Sequence, residues 1–256
     1  MNNSARRTVE ILELLADSEE GITLSEISKL LGIPKTSAFD ILDVLVSKNF
    51  ARIDDPKLKT YALGFSAYKV GITYYNRTDL FSTARPELIN LMKKVGETIY
   101  LAVEDEGKVV YIDKVESNAP IRSTCKIGSK NYMHLTGLGK AILASYSYEK
   151  IEALIGNKFV SRTPATLTTL DDLYADLVNT RNRGYAIDSG EDNEFVKCIA
   201  APILGMNGKT IAAISISMLS SNFCGEHLEL CVKLLCETAL HISSQMGYTG
   251  TELYTT

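Results

Sequence analysis

Two serines, Ser215 and Ser217, stand two residues apart in the apolar run Ile214-Ser215-Ile216-Ser217. On a β-strand that spacing puts both hydroxyls on one face. Such a face either meets solvent or lines a polar pocket. Cys198 lies on the preceding apolar run, with Met206-Asn207-Gly208 between the two. Asn-Gly between apolar runs is the strongest short-range hairpin signal. Cys198 therefore either shares a cavity with the serines or packs as a small core residue. A second constellation is Gly137-Leu138-Gly139-Lys140, which leads straight into a helical run. Backbone N–H groups at a helix N-terminus attract an anion, and tight helix packing is the other reason for glycine there. A nucleotide-binding P-loop needs Gly where His134 stands and Ser or Thr where Ala141 stands, so no nucleotide is expected. Asp188 follows Gly184-Tyr185-Ala186-Ile187 in a segment that reads as a loop, and by itself is a surface acid.

A third constellation lies near the N-terminus, where Lys35, Thr36, Ser37 and Phe39 open a helical run after Ile33-Pro34. Three short helices are expected around it. Val9, Leu12, Leu15 and Ala16 recur at three- and four-residue steps over residues 6–17 and mark the first. Residues 23–32 form the second. Thr23 with Glu26 makes a capping box, Leu24, Ile27, Leu30 and Leu31 form the buried stripe, and Gly32 stops it. Leu42, Leu45 and Val46 point inward from the third, which ends near Lys48-Asn49. Strand alternation at residues 50–53, turn chemistry at Asp54-Asp55-Pro56-Lys57 and a returning strand at residues 60–63 then form a hairpin. Three helices and a hairpin, with a short turn between the second and third helices, are the order of a winged helix-turn-helix. A small helical cap or dimerisation module is the alternative. In the DNA-binding reading, Lys35, Thr36 and Ser37 meet phosphates and base edges in the major groove. Phe39 touches a thymine methyl or packs in the core. Arg52, Lys57 and Lys59 on the wing neutralise phosphates, and Arg6 and Arg7 can reach the backbone.

Charge alone does not support that reading. The 256-residue chain carries a net charge of −4, and its first 64 residues hold fewer bases than acids. The acids gather early, at Glu10, Glu13, Asp17, Glu19 and Glu20, and the bases come later. With few cations per chain, useful affinity needs at least a dimer on a two-fold operator. The five cysteines form no C-x-x-C pair, which argues against a disulfide framework and a zinc site. No run approaches the ~20 apolar residues of a membrane span, and the N-terminus lacks a signal-peptide core. A cytoplasmic protein with no metal and no cofactor is expected.

The remainder is mixed α and β. Residues 65–75 read as a connecting helix. Residues 80–95 form another, with Pro86 opening its main run. Strands are expected at residues 98–104, 108–116, 122–127, 198–204 and 210–218, and helices at residues 138–145, 147–156, 170–183 and 226–246. The fold class is α+β. The expected domains are a winged helix-turn-helix at residues 1–64, a linker helix at 65–78 and an effector-binding domain at 79–248.

Five segments in register resemble the IclR family of bacterial transcription regulators. They are Thr23-Leu24-Ser25-Glu26-Ile27 with Gly32-Ile33-Pro34-Lys35-Thr36-Ser37, then Thr60-Tyr61-Ala62-Leu63-Gly64, then Met133-His134-Leu135-Thr136-Gly137-Leu138-Gly139-Lys140-Ala141. Arg183-Gly184-Tyr185-Ala186 with Cys198-Ile199-Ala200-Ala201-Pro202, and Ile214-Ser215-Ile216-Ser217, complete the set. The resemblance implies a ligand-responsive regulator, by default a repressor of a catabolic operon. It implies a GAF-like effector domain and a homodimer or homotetramer on double-stranded operator DNA. It also implies that Gly137, Leu138, Asp188, Cys198, Ser215 and Ser217 contact a small carboxylate, a 2-oxo or sugar acid, while Ser123 tunes the pocket. Asp188 would accept from ligand hydroxyls or hold a donor in place. Two positions depart from the family pattern. Asp40 stands where Arg is usual, so it should face away from DNA or the docking differs. Phe195 stands where Gly is usual, so its loop should be shaped differently.

Two other functions remain open on the residues. One is an enzyme with Cys198 as nucleophile and His134 or His227 as base. The other is a non-DNA interaction module. The three histidines, two of them in the last helical run, and the absence of a nucleophile elbow or H-E-x-x-H motif weigh against the enzyme.

Overall fold

The computed structural model describes residues 3–18, 20–77, 79–119, 125–156 and 158–254. The chain divides into two units, Met1–Thr78 and Asp79–Thr256, each with its own buried cluster.

In the first unit, α1 (Asn3–Asp17), β1 (Ile22–Thr23), α2 (Leu24–Leu31) and α3 (Lys35–Ser47) precede β2 (Ala51–Asp55), β3 (Thr60–Leu63) and α4 (Phe65–Arg77). Thr23 starts α2 with the expected reciprocal cap. Its Oγ1 accepts from Glu26 N at 3.3 Å, and its own N–H donates to Glu26 Oε2 at 2.8 Å. Gly32 ends the helix at φ 62°, a left-handed stop. Ala38, Leu42 and Leu45 turn one side of α3 into the core and leave the other in water. The sheet order is β1-β3-β2. The two residues of β1 are too few to show a period, so the hydrophobic pattern did not reveal them.

Two buried faces differ from expectation. Ile11 and Leu15 are the buried residues of α1, while Val9 is 55% exposed and Ala16 is exposed too. Leu30 of α2 lies in solvent, and only Ile27 is fully buried. Both helices carry apolar residues over a wide arc. Spacing identifies such an arc, but contact with the neighbouring elements selects its centre.

The second unit begins with α5 (Asp79–Val95), β4 (Thr98–Asp105), β5 (Lys108–Val115), β6 (Lys130–Tyr132) and a 3₁₀ turn (Met133–Leu135). It continues through α6 (Gly137–Leu143), α7 (Tyr148–Ile155), α8 (Leu170–Arg183), β7 (Ala186–Asp188), β8 (Val196–Leu204), β9 (Thr210–Leu219) and α9 (Gly225–Gln245). Its six strands form one antiparallel sheet in the order β6-β5-β4-β9-β8-β7. Helix α6 packs on the sheet's central strands, and α5 packs on α9.

Three expectations in this unit are corrected. Pro86 lies inside α5 rather than opening it. It forfeits one backbone bond, and the buried Ala84, Leu88 and Leu91 hold the helix against the core. The described part of the strand expected at residues 122–127 is not strand, and the edge strand is β6. There Gly128 turns the chain at φ 86° and its N–H donates to Tyr111 O at 2.7 Å. Asp188 closes the short strand β7 instead of sitting in a loop, and is buried.

Candidate functional site

Antiparallel pairing places Asp188 opposite Cys198, Cys198 opposite Ser217, and Ser217 opposite Thr98. Residues directly opposite on such a ladder point to the same face. The neighbouring row sets Ala200 and Tyr100 on either side of Ser215. The start of α6 lies over these rows, and a cavity of about 170 Å³ remains between. Gly137, Leu138, Asp188, Cys198, Ser215 and Ser217 all line it. Ser123 lies outside the described residues. Ser215 and Ser217 are buried, so their shared face is a pocket wall and not a solvent face.

The two glycines ahead of Lys140 do different work. A Cβ on Gly139 would fall 2.2 Å from the Met133 carbonyl oxygen, so this position serves packing. Gly137 faces the cavity wall, where a Cβ would meet Ala200 Cβ at 3.3 Å and Cys198 Cβ at 3.6 Å. Thr136 caps the helix by accepting from Gly139 N at 3.0 Å, and Lys140 N donates to Thr136 O. The N–H groups of Gly137 and Leu138, at the first two helical positions, have no acceptor within the helix.

Sequence reasoning missed the rest of the wall, which is Tyr100, Tyr111, Cys125, Thr136, Asp192, Asn193 and Val196. Tyr100 and Tyr111 meet edge to face at 5.4 Å, and Tyr100 Oη accepts from Cys125 N at 3.2 Å. Of these residues Thr136 had a signal, a Thr before a glycine-led helix. The tyrosines read as ordinary strand residues.

The cavity bears two acids yet is not strongly negative. Burial pushes the Asp188 carboxyl well above its ordinary range, and neighbouring Glu191 pushes it further. Asp188 Oδ1 accepts from Gly190 N and Glu191 N, both at 2.9 Å. Oδ1 is thus committed to its own loop, which fits the expected role of holding donors in place. Burial opposes ionisation of Glu191 too, but bonding to Asp188 and the charge of Lys140 prevail and hold its pKa low. Lys140 Nζ lies 2.6 Å from Glu191 Oε1 and 3.1 Å from Asp176 Oδ2, and is 1% exposed. The other acid, Asp192, pairs with Arg162.

Asp188 has a raised folded-state pKa, so its contribution to stability is present at low pH. It is lost as pH rises through that folded value, where charging a buried carboxyl becomes unfavourable. The same charge would repel an anion in the cavity. Asp188→Asn is expected to keep the neutral shape and flatten this loss with rising pH, as read by denaturant titration across pH. An unaltered pH profile in the variant would reject the assignment.

Ser217 Oγ is buried without a hydrogen-bond partner. The nearby Cys198 thiol is at best a weak one. A buried hydroxyl in that state calls for an external partner. Burial first, then Asp188, pushes the Cys198 thiol well above its ordinary range, so it stays protonated and is a poor nucleophile. His134 Nε2 meets the Val160 backbone, and His227 Nε2 lies 3.3 Å from Glu97. Neither histidine lines the cavity.

The first unit presents a different surface. Lys35, Thr36, Phe39 and Asp40 are exposed at the leading end of α3, and Ser37 is half-buried. Phe39 is 51% exposed, so the core reading does not hold. Asp40 lies one turn from Thr36 on the same exposed face, and Asp43 follows. Lys57 and Lys59 flank the exposed Leu58 at the hairpin tip. Asp55 Oδ1 fixes that tip by accepting from Lys57 N at 2.6 Å and Leu58 N at 3.1 Å. Arg52 is exposed as well, but its guanidinium is paired with Asp54 at 2.7 Å. Phe195, at the departure from the family pattern, is 75% exposed in the loop before β8.

Two family models match the chain, the IclR helix-turn-helix domain over residues 4–55 and the bacterial transcriptional regulator IclR C-terminal domain over residues 72–244. The HTH-type transcriptional regulator XynR of Escherichia coli is 30% identical over 247 residues, covering 96% of this chain and 97% of that protein. The transcriptional repressor IclR of E. coli is 34% identical over 217 residues, 84% of this chain and 79% of that protein. The crystal structure of the Thermotoga maritima IclR superposes with a TM-score of 0.80 at 30% identity, covering 97% of this chain and all of that one.

Proposed function

The chain belongs to the IclR family of bacterial transcription regulators, and from that premise we propose that it represses a catabolic operon until a small carboxylate fills the second unit. It is a DNA-binding regulator and not an enzyme. The observation that carries the effector reading is the buried Ser217 hydroxyl, whose sole protein partner among the described residues is the weak Cys198 thiol, in a cavity wall rich in polar groups. Ser215 and Ser217 can donate to a carboxylate, as can the free N–H groups at the start of α6. The upward shift of the Asp188 carboxyl by burial and Glu191 weakens its opposition to that anion. The volume suits a metabolite smaller than a drug-sized ligand, and the hydroxyl-rich wall favours a sugar acid or 2-oxo acid.

In this reading Lys35, Thr36, Ser37 and Phe39 address the major groove, and Arg52, Lys57 and Lys59 the phosphates. The chain acts in the cytoplasm as a homodimer or homotetramer. Among the described residues, no helix is long and apolar enough to cross a membrane. Effector binding shifts the population of the DNA-competent assembly.

A thermal-shift screen against sugar acids and 2-oxo acids tests the reading. A true effector at 100 times its dissociation constant stabilises by about 2.7 kcal/mol. Ser215→Ala combined with Ser217→Ala is expected to abolish that shift while the variant still binds operator DNA. Equal shifts in wild type and double variant would place the effector elsewhere.

A further inference from the structure

A second cavity, of about 220 Å³, opens at the C-terminal end of α6 and is lined by Ala144, Ser145, Ser147, Arg181, Tyr248 and Tyr254 among others. Ser145 and Ser147 are exposed at its mouth, so solutes can reach it. Arg181 contributes to its wall, and the Nε and Nη2 of that side chain are closed to solvent and have no hydrogen-bond partner. These two nitrogens share one edge of the guanidinium and carry nearly parallel N–H bonds. That edge holds a carboxylate or phosphate group through two bonds at once.

Among the described residues, no carboxylate forms an ion pair with Arg181. Asp176 is shared by Lys140 and, at 3.7 Å, by Arg183. Glu149, two residues beyond Ser147, is engaged by its own backbone and by Ser147. The tyrosine hydroxyls are committed to carbonyls, Tyr254 to Ala141 at 3.0 Å and Tyr248 to Glu252 at 2.6 Å. The guanidinium head is also held in place, with its central carbon 5.3 Å from the Tyr174 ring centroid. Arginine cannot relieve a dry, unpaired edge by losing its proton. Leaving such donors unmade is costly, and an anion that enters the cavity and displaces the atoms covering that edge would remove the cost.

We infer that Arg181 forms a second ligand site, distinct from the Ser215–Ser217 cavity, for the carboxylate or phosphate group of a small anionic metabolite. This site stands independently of the effector reading.

Full-length protein labelled with 15N-arginine is titrated with inorganic phosphate, and separately with acetate, at constant ionic strength in chloride. The Nε–H resonance missing from Arg181→Gln identifies Arg181. It is expected to move saturably with at least one of the two anions, and the one that moves it more tightly names the group preferred. Arg181→Gln and Arg181→Lys, followed with wild type by isothermal titration calorimetry because they lack that resonance, are expected to weaken that anion roughly tenfold or more, since lysine lacks the paired donors. Ser215→Ala with Ser217→Ala is expected to leave it unchanged. If the Arg181 resonance moves with neither anion, or Arg181→Gln binds as wild type does, the inference is overturned. Should the lysine variant fail to fold, the wild-type titration still decides.

Discussion

Lys140→Met is expected to lower the stability of the second unit by about 3–5 kcal/mol. The ammonium is 1% exposed and Glu191, 2.6 Å away, is nearly as deeply buried. Removing the cation strands a carboxylate in a dry site. That penalty, more than the lost attraction, sets the magnitude. Asp176 is less affected, because it is partly solvated and keeps Arg183 nearby. For a unit of this size the melting temperature should fall by roughly 10 °C. A stranded Glu191 takes up a proton more readily, so the deficit should narrow as pH falls. Lys140→Met with Glu191→Gln should recover much of it, since both charges then leave together. Thermal and denaturant unfolding of the three proteins would read this out. A single-variant loss under about 1 kcal/mol, or a double variant no better than the single, would show that the pair is hydrated in solution.

Lys140 also shows what the amino-acid pattern could and could not reveal. Its position after Gly139 prompted comparison with a nucleotide loop, and the mismatches at His134 and Ala141 removed that reading. A lone lysine inside the apolar run of residues 137–143 does imply a buried cation with an acid partner. Which acid it meets is a property of tertiary contact, because Glu191 lies 51 residues away. The same division runs through the whole molecule. Signals that act within a few residues were readable, such as the Thr23–Glu26 cap, the Gly32 stop and the Asn207-Gly208 hairpin. The period-two spacing of Ser215 and Ser217 gave their common face, though not whether that face was wet. Features decided by contacts between distant elements were not readable. They include the Ile11-centred face of α1, the edge strand at Lys130–Tyr132, the burial of Asp188, and the tyrosines and Asp192 that complete the cavity. Motif resemblance joined six of the expected cavity residues into one site, because no local pattern brings residues 137, 188, 198 and 217 together.

Replacing Lys57 and Lys59 with alanine together should weaken operator binding by about 10²–10³-fold near 0.1 M salt, and equally for specific and unrelated duplexes. The exposed face of α3 is a poor source of phosphate affinity. Asp40 and Asp43 share it with Thr36, and Lys35 is the base at its leading end. Arg52 on the wing is held by Asp54, which offsets part of its charge. In the proposed reading the electrostatic share of binding falls to the hairpin tip, where Lys57 and Lys59 flank Leu58 and the Asp55 side chain fixes the turn. The proposed dimer presents two such tips. With each lysine neutralising one phosphate, the slope of log K against log salt should lessen by about 3–4 in the double variant. Base preference should survive, since phosphate contacts position a protein and base edges specify its site. Gel shift or fluorescence anisotropy from 50 to 300 mM salt measures both quantities. A variant with wild-type salt slope would mean that the wing does not touch the duplex. A variant that lost preference for its operator while keeping the slope would mean that the tip reads bases instead.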